Sequence, residues 1–370
     1  MTSWRRAVIA KKRTSNSSRN FLDVLANPSD PAVDIVAVHG LNPLDKESHA
    51  EATWTSGDRL WLRDFLPKRA RGARIMLFGY NANVAFQTAA AGVREQAENL
   101  LNQLYRHRTE DPDRPLIFIC HSLGGILVKR ALVLSKADET YEMIWRSTFG
   151  IAFFGTPHKG GNHAGMGDVV AKIARSMSGN PNNTFMGALK KGSLFLDTVT
   201  DDFRQLLEDF QILSFYETQP LGYLGIIVDQ SSAVLGLPGT REKQLGLEAD
   251  HRNICKFNSE EDPRYQQVAD NIIDMINAAF FFERRYRPNS ANSRSEGNES
   301  SSEGHCNATL QAGNGNASRA SGNANKTYQL GNRNKSKSDG DGNKTTQISI
   351  GVIEIESSME IFRRLDWLNA

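Results

Sequence analysis

A chain of 370 residues with a formal net charge of +2 is long enough to bury one large core and still carry appendages. The near-neutral balance gives no electrostatic case for a nucleic-acid partner, and the three cysteines (Cys120, Cys255, Cys306) are too scattered for a disulfide frame or a metal site. No apolar run approaches the ~20 residues of a membrane-spanning helix.

Residues 1–26 read as a basic, disordered leader, with Arg5, Arg6, Lys11, Lys12, Arg13 and Arg19 and no acid before Asp23. The same composition suits a mitochondrial presequence, which stands as the alternative to a cytoplasmic location. Residues 27–285 then alternate strand-like and helix-like segments, the pattern of an α/β layer fold with a mostly parallel central sheet flanked by helices. The expected strands are Val33–His39, Arg74–Phe78, Leu116–Cys120, Thr148–Phe154, Gln211–Tyr216 and Leu224–Val228, all short and rich in Val, Ile and Phe. Helical spacing predicts helices at Leu60–Leu66, Ala89–Arg106 and Tyr265–Phe282. Residues 160–205 form a long insertion that would either cap the active site as a lid or pack as ordinary helix.

Beyond a linker at 286–303 the composition turns to Asn, Gly and Ser, too poor in apolar residues to fold as an ordinary globule. A repeat runs through 304–352. Gly304, Asn307, Thr309 and Gln311 recur as Gly322, Asn325, Thr327 and Gln329, and again as Gly340, Asn343, Thr345 and Gln347, at an interval of 18 residues. Asn, Thr and Gln at alternate positions share one face of an extended chain, so stacked rungs of a β-solenoid or amyloid are expected, with self-assembly through 304–352. Residues 353–370 end in a short amphipathic pattern.

The chemistry centres on Leu116–Gly125. An apolar strand enters a tight turn with Ser122 at its tip and leaves into a helix beginning at Ile126, the form of a nucleophile elbow. His121, Gly124 and Gly125 support the turn; Cys120 stands where the elbow pattern expects glycine. A serine hydroxyl needs a base, an orienting acid and oxyanion donors. In the chain order Ser, acid, His, the histidine after the last strand is His251. Glu217, ending the strand Gln211–Tyr216, is favoured as the acid over Asp229, while Asp250 adjoins His251 but points away in extended chain. The oxyanion donors are expected at Leu123 and at Leu41, where Gly40 lets the backbone turn close to the substrate. There is no phosphate-binding glycine loop and no metal-ligand spacing, so neither cofactor nor metal is expected. Trp54 and Trp61 read as packing residues.

As a set, His39-Gly40-Leu41-Asn42, His121-Ser122-Leu-Gly-Gly125, Phe154-Gly-Thr156-Pro157-His158, Phe215-Tyr-Glu217 and Asp250-His251 resemble the serine-esterase/lipase domains related to the phosphatidylglycerol-remodelling SERAC1 proteins. The fungal version often precedes nucleotide-binding repeat receptors. The resemblance covers about residues 30–280 and implies an α/β-hydrolase with Ser122, Glu217 and His251 as its triad, acting on an acyl ester of lipid type, with contact to a membrane surface. The Gly/Asn-rich tail resembles, in style and period, that of fungal lipase-like effectors of programmed cell death. That looser resemblance implies a receptor partner with a matching amyloid motif. A catalytically dispensable assembly protein is the alternative reading.

Overall fold

The computed structural model describes residues 20–42, 44, 46–82, 90–160, 165–178, 187 and 193–286, and six strands between 299 and 348. The chain divides into two compact units, residues 1–281 and 282–370. The first is built on a seven-stranded sheet: β1 (Phe21–Ala26), β2 (Val33–Val38), β3 (Ala73–Gly79), β4 (Leu116–His121), β5 (Thr148–Phe154), β6 (Gln211–Glu217) and β7 (Glu242–Leu247). The spatial order is β1-β3-β2-β4-β5-β6-β7; β1 is antiparallel to β3 and all other pairs are parallel.

The central strands are apolar at nearly every position because both faces are covered. Alternate residues feed two cores. Val33, Ile35 and Ala37 of β2 join Ile117 and Ile119 of β4 on one face, while Val36 and Val38 join Phe118 and Cys120 on the other. The second face is covered by α1 (Ala90–His107), α2 (Gly124–Ala137), α3 (Met166–Ser178) and α4 (Ser193–Arg204). The first is covered by α5 (Pro263–Tyr286), through Val268, Ile272 and Ile276, and by Trp54 and Trp61, both wholly buried. This is an α/β-hydrolase architecture.

Asp34 on β2 lies fully buried and is matched by three arginines. Arg74 grips it through two nitrogens at 2.8 and 2.7 Å, Arg114 approaches at 3.3 Å, and Arg108 donates to the same carboxylate. Arg108 also donates to the carbonyls of Pro112 and Arg114, so the network binds β2 and β3 to the segment that follows α1.

Two expectations need correction. Residues 21–26 are not part of a leader but form β1; residues 1–19 lie outside the described residues. Leu224–Val228 is not a strand: a 3₁₀ turn covers Gly222–Leu224, and the last strand is β7. The sequence of β7, EKQLGL, carries little apolar signal because it is the edge strand of the sheet, with Lys243 and Gln244 exposed to water. Of the two readings open for 160–205, the described helices follow the packing one, with Val169, Val170 and Ile173 of α3 and Val199 and Phe203 of α4 buried in the core. The repeat carries two strands per 18-residue period.

That second unit consists of β8 (Glu299–Glu303), β9 (Ala308–Ala312), β10 (Ala317–Ser321), β11 (Lys326–Leu330), β12 (Lys335–Asp339) and β13 (Lys344–Ile348). They alternate between two parallel sheets, β8-β10-β12 and β9-β11-β13. The register keeps the sequence interval: Thr309 pairs with Thr327 and Thr327 with Thr345, and the three glutamines follow suit. The Gly-Asn connections and residues 349–370 lie outside the described residues.

Candidate active site

The turn after β4 places Ser122 at φ 53°, the one positive φ at a non-glycine among the described residues. Such a conformation costs an L-residue about 1–2 kcal/mol and persists only where its surroundings enforce it. Here the Ser122 N–H donates to Phe154 O at 2.8 Å, and Thr156 Oγ1 donates to the Ser122 carbonyl at 2.9 Å. Gly124 and Gly125 are dictated by close approach. A Cβ on Gly124 would stand 2.6 Å from Val38 O, and one on Gly125 2.5 Å from Thr156 Cγ2. Gly40 approaches from the loop after β2, where a Cβ would be 2.8 Å from Ser122 Cβ. Cys120 is wholly buried in the core under the elbow, where a small apolar side chain fits.

His251 Nε2 lies 2.9 Å from Ser122 Oγ, and His251 Nδ1 lies 2.8 Å from Glu217 Oε2. The other Glu217 oxygen accepts the backbone N–H groups of Ile227 and, at 2.9 Å, Val228. The segment read as a strand thus directs its N–H groups at a carboxylate instead of a neighbouring strand. Ser122, Glu217 and His251 are 2, 3 and 0% exposed. Asp229 and Asp250 are elsewhere. Asp229 caps the short helix Gln230–Ala233 and accepts from Ser231 Oγ at 2.6 Å, and Asp250 caps its own turn at the N–H groups of Arg252 and Asn253.

The loop bearing His251 is pinned beneath. Trp61 Nε1 donates to Cys255 O at 2.9 Å, and Cys255 Sγ to Thr53 O at 3.2 Å. His121 Nε2 lies 3.0 Å from the His251 carbonyl. A carbonyl only accepts, so Nε2 carries the proton. Burial, reinforced by the neighbouring His251, pushes the His121 pKa well below the usual histidine range. On the oxyanion side, His39 Nδ1 donates to Gly40 O at 2.8 Å while its Nε2 accepts the Tyr80 N–H at 3.3 Å. Tyr80 stacks on the His39 ring and donates its hydroxyl to His39 O. Burial, then the nearby His49, lowers His39 to about 3, so it remains a neutral strut. Among the described residues, neither the Leu41 N–H nor the Leu123 N–H is committed to a protein acceptor.

Beside this set lies a cleft of about 340 Å³, whose lining includes Asn42, His49, His121, Leu221 and Lys256. No group of His, Cys, Asp and Glu suited to a metal ion occurs among the described residues. Sequence reading did not single out Thr156, Tyr80 or His49. Thr156 lies within the Phe154–His158 motif, but the roles of Tyr80 and His49 arise only from tertiary approach.

No family model matches the chain. By sequence it is similar to Protein SERAC1 of Bos taurus, 26% identical over 268 residues, which is 66% of this chain and 39% of that one. Its homologues include the SERAC1 proteins. The Mus musculus protein is 28% identical over 229 residues, 58% of this chain and 33% of its own length. The chain therefore spans well under half the length of these SERAC1 relatives. Among solved structures, a Bacillus licheniformis lipase, BlEst2 in its mature form, aligns with a TM-score of 0.46 at 16% identity, covering 67% of this chain and 98% of that one. A monoacylglycerol lipase of Paleococcus ferrophilus aligns at 0.38 and 14% identity, over 71% of this chain and 100% of the other.

Proposed function

We propose that this protein is a serine carboxylester hydrolase of lipase or esterase type. The observation that carries the proposal is the unbroken hydrogen-bond chain from a strained Ser122 through His251 to Glu217. His251 Nε2 takes the Ser122 proton as Oγ attacks the ester carbonyl, and the resulting oxyanion lies between the N–H groups of Leu41 and Leu123. Collapse expels the alcohol, which receives the proton from His251 and leaves an acyl-serine. Water repeats the sequence and releases the acid. Glu217, oriented by two backbone N–H groups, holds the imidazole in the Nδ1–H tautomer and balances its transient charge. Turnover of a soluble p-nitrophenyl butyrate tests the reading: Ser122→Ala should lose at least ~10⁴-fold in kcat, and equal turnover by both chains would overturn it.

A second activity rests on the tail. Parallel, in-register strands at a constant interval leave backbone edges at both ends of each ladder, and such edges template further strands. We propose that residues 299–348 extend the ladder onto another copy or onto a receptor bearing a like repeat, clustering the hydrolase as a cell-death effector would require. The full chain should then form fibres with the ~4.7 Å cross-β repeat, and a chain lacking 299–348 should not. Fibres from both, or from neither, would refute this role.

A further inference from the structure

The segment from Thr218 to Val228 carries no charged side chain and is tied to the catalytic acid at both ends. It leaves β6 at Glu217 and returns where the Ile227 and Val228 N–H groups donate to the Glu217 carboxylate. Between these anchors lies the 3₁₀ turn Gly222–Leu224, closed by the Leu221 N–H on Gly225 O at 3.0 Å, with Gly222 and Gly225 at φ 51° and 65°. Lys172 of α3 donates to the Ile226 carbonyl and braces the return. The turn holds Tyr223 out in water at 92% exposure, while Leu221 and Leu224 on either side are half-buried against the core. Among the described residues the next most exposed large apolar side chain is Leu44, at 52%.

The surroundings identify the partner. Leu44 and Leu221 line one cleft together with Lys46, Arg252 and Lys256. No carboxylate lines it among the described residues, and the adjacent Asp250 is committed to the N–H groups of Arg252 and Asn253. Apolar side chains and three cations therefore share one face with the loop rooted on Glu217. A second copy docked on this face through the same face would bring like charges together. A folded protein partner needs about 800 Å² of matching surface, whereas this is a short turn with one ring at its summit. A bilayer with anionic headgroups suits both parts: tyrosine settles at headgroup level, and lysine and arginine gain from the negative surface. We propose that Tyr223 and Leu44, with Lys46, Arg252 and Lys256, form a docking surface for an anionic phospholipid bilayer. The loop that begins and ends at the catalytic acid is then the part of the enzyme that meets the membrane.

The use of this surface in catalysis rests on the hydrolase reading, but its test reads binding. The full chain is sedimented with vesicles of phosphatidylcholine alone and of phosphatidylcholine mixed with phosphatidylserine, and turnover of soluble p-nitrophenyl butyrate is followed in parallel. Wild type should bind the mixed vesicles at least ~10-fold more tightly than the neutral ones. Tyr223→Ser should weaken that binding at least ~5-fold, and Tyr223→Trp should keep it. The double variant Lys46→Gln, Lys256→Gln should weaken it about 10-fold. Soluble turnover should be unchanged in Tyr223→Ser, since the ring packs on nothing. Binding unmoved in Tyr223→Ser and in the double variant would place it elsewhere, such as on the strands of 299–348, and overturn the inference. A chain that turns over soluble ester and binds neither vesicle would overturn it alone. So would a Tyr223→Ser chain whose soluble turnover falls as far as its binding, because the loop would then only support Glu217. A chain that binds the mixed vesicles through Tyr223 but hydrolyses nothing and takes up no fluorophosphonate refutes the hydrolase reading and leaves the docking surface standing.

Discussion

Lys129 sits on α2, the helix launched by the nucleophile elbow, and is wholly buried with no carboxylate paired to it among the described residues. Its Nζ has a long contact to Thr200 Oγ1 at 3.4 Å and lies over the rings of Phe153 and Phe203 at 5.9 and 5.7 Å. Burial lowers its pKa from 10.5 to about 7. An unfolded chain holds that proton up to pH 10.5, so wild-type stability should rise with pH from about 7 to 10.5 on this account and be flat below. At about 1.4 kcal/mol per pH unit, the gap between 10.5 and about 7 sets a ceiling of roughly 5 kcal/mol on the cost of keeping this amine inside at neutral pH. The two rings and Thr200 offset part of the cost, so Lys129→Met should stabilise the fold by about 2–3 kcal/mol at pH 6.5. Urea unfolding at pH 6.5 and 9.5 reads both quantities. A Met variant no more stable than wild type at pH 6.5, or a gain that does not shrink at pH 9.5, would refute the reasoning.

Glu217→Gln should lower kcat on p-nitrophenyl butyrate by about 10³–10⁴-fold, whereas Asp229→Asn should stay near wild type. Comparable losses in both would reassign the acid. Gly155→Ala forces an L-residue to φ 53° and sets a Cβ 3.1 Å from His251 Nδ1. Its kcat should fall more than its melting temperature, and a variant that loses stability alone would deny Gly155 its place behind the imidazole. Asp34→Ala strands the buried Arg108 and should destabilise the fold by about 3–5 kcal/mol in urea titration. A loss below about 1 kcal/mol would mean that water reaches the arginines.

Much of this arrangement was legible in the chain because it is written locally. Val33–Val38 and Leu116–His121 are apolar with little interruption, as strands covered on both faces must be, and Ser122 stands between one of them and a helix. The order of Ser122, Glu217 and His251 needed no coordinates. What escaped depends on partners distant in sequence. Phe21–Ala26 becomes a strand only because β3 offers an edge. Ile227 and Val228 look like strand residues, yet their N–H groups are fixed by a carboxylate. In the tail, Ser300 and Ser336 carry no apolar signal, and only their stacking at 18-residue spacing makes them strand.

The most direct measurement is to treat the folded chain with a fluorophosphonate and locate the adduct by peptide mass spectrometry. A single phosphonylated peptide with the added mass on Ser122, abolished in His251→Ala, is the predicted result. Modification at another serine, or an unreactive Ser122 in folded protein, would contradict the account.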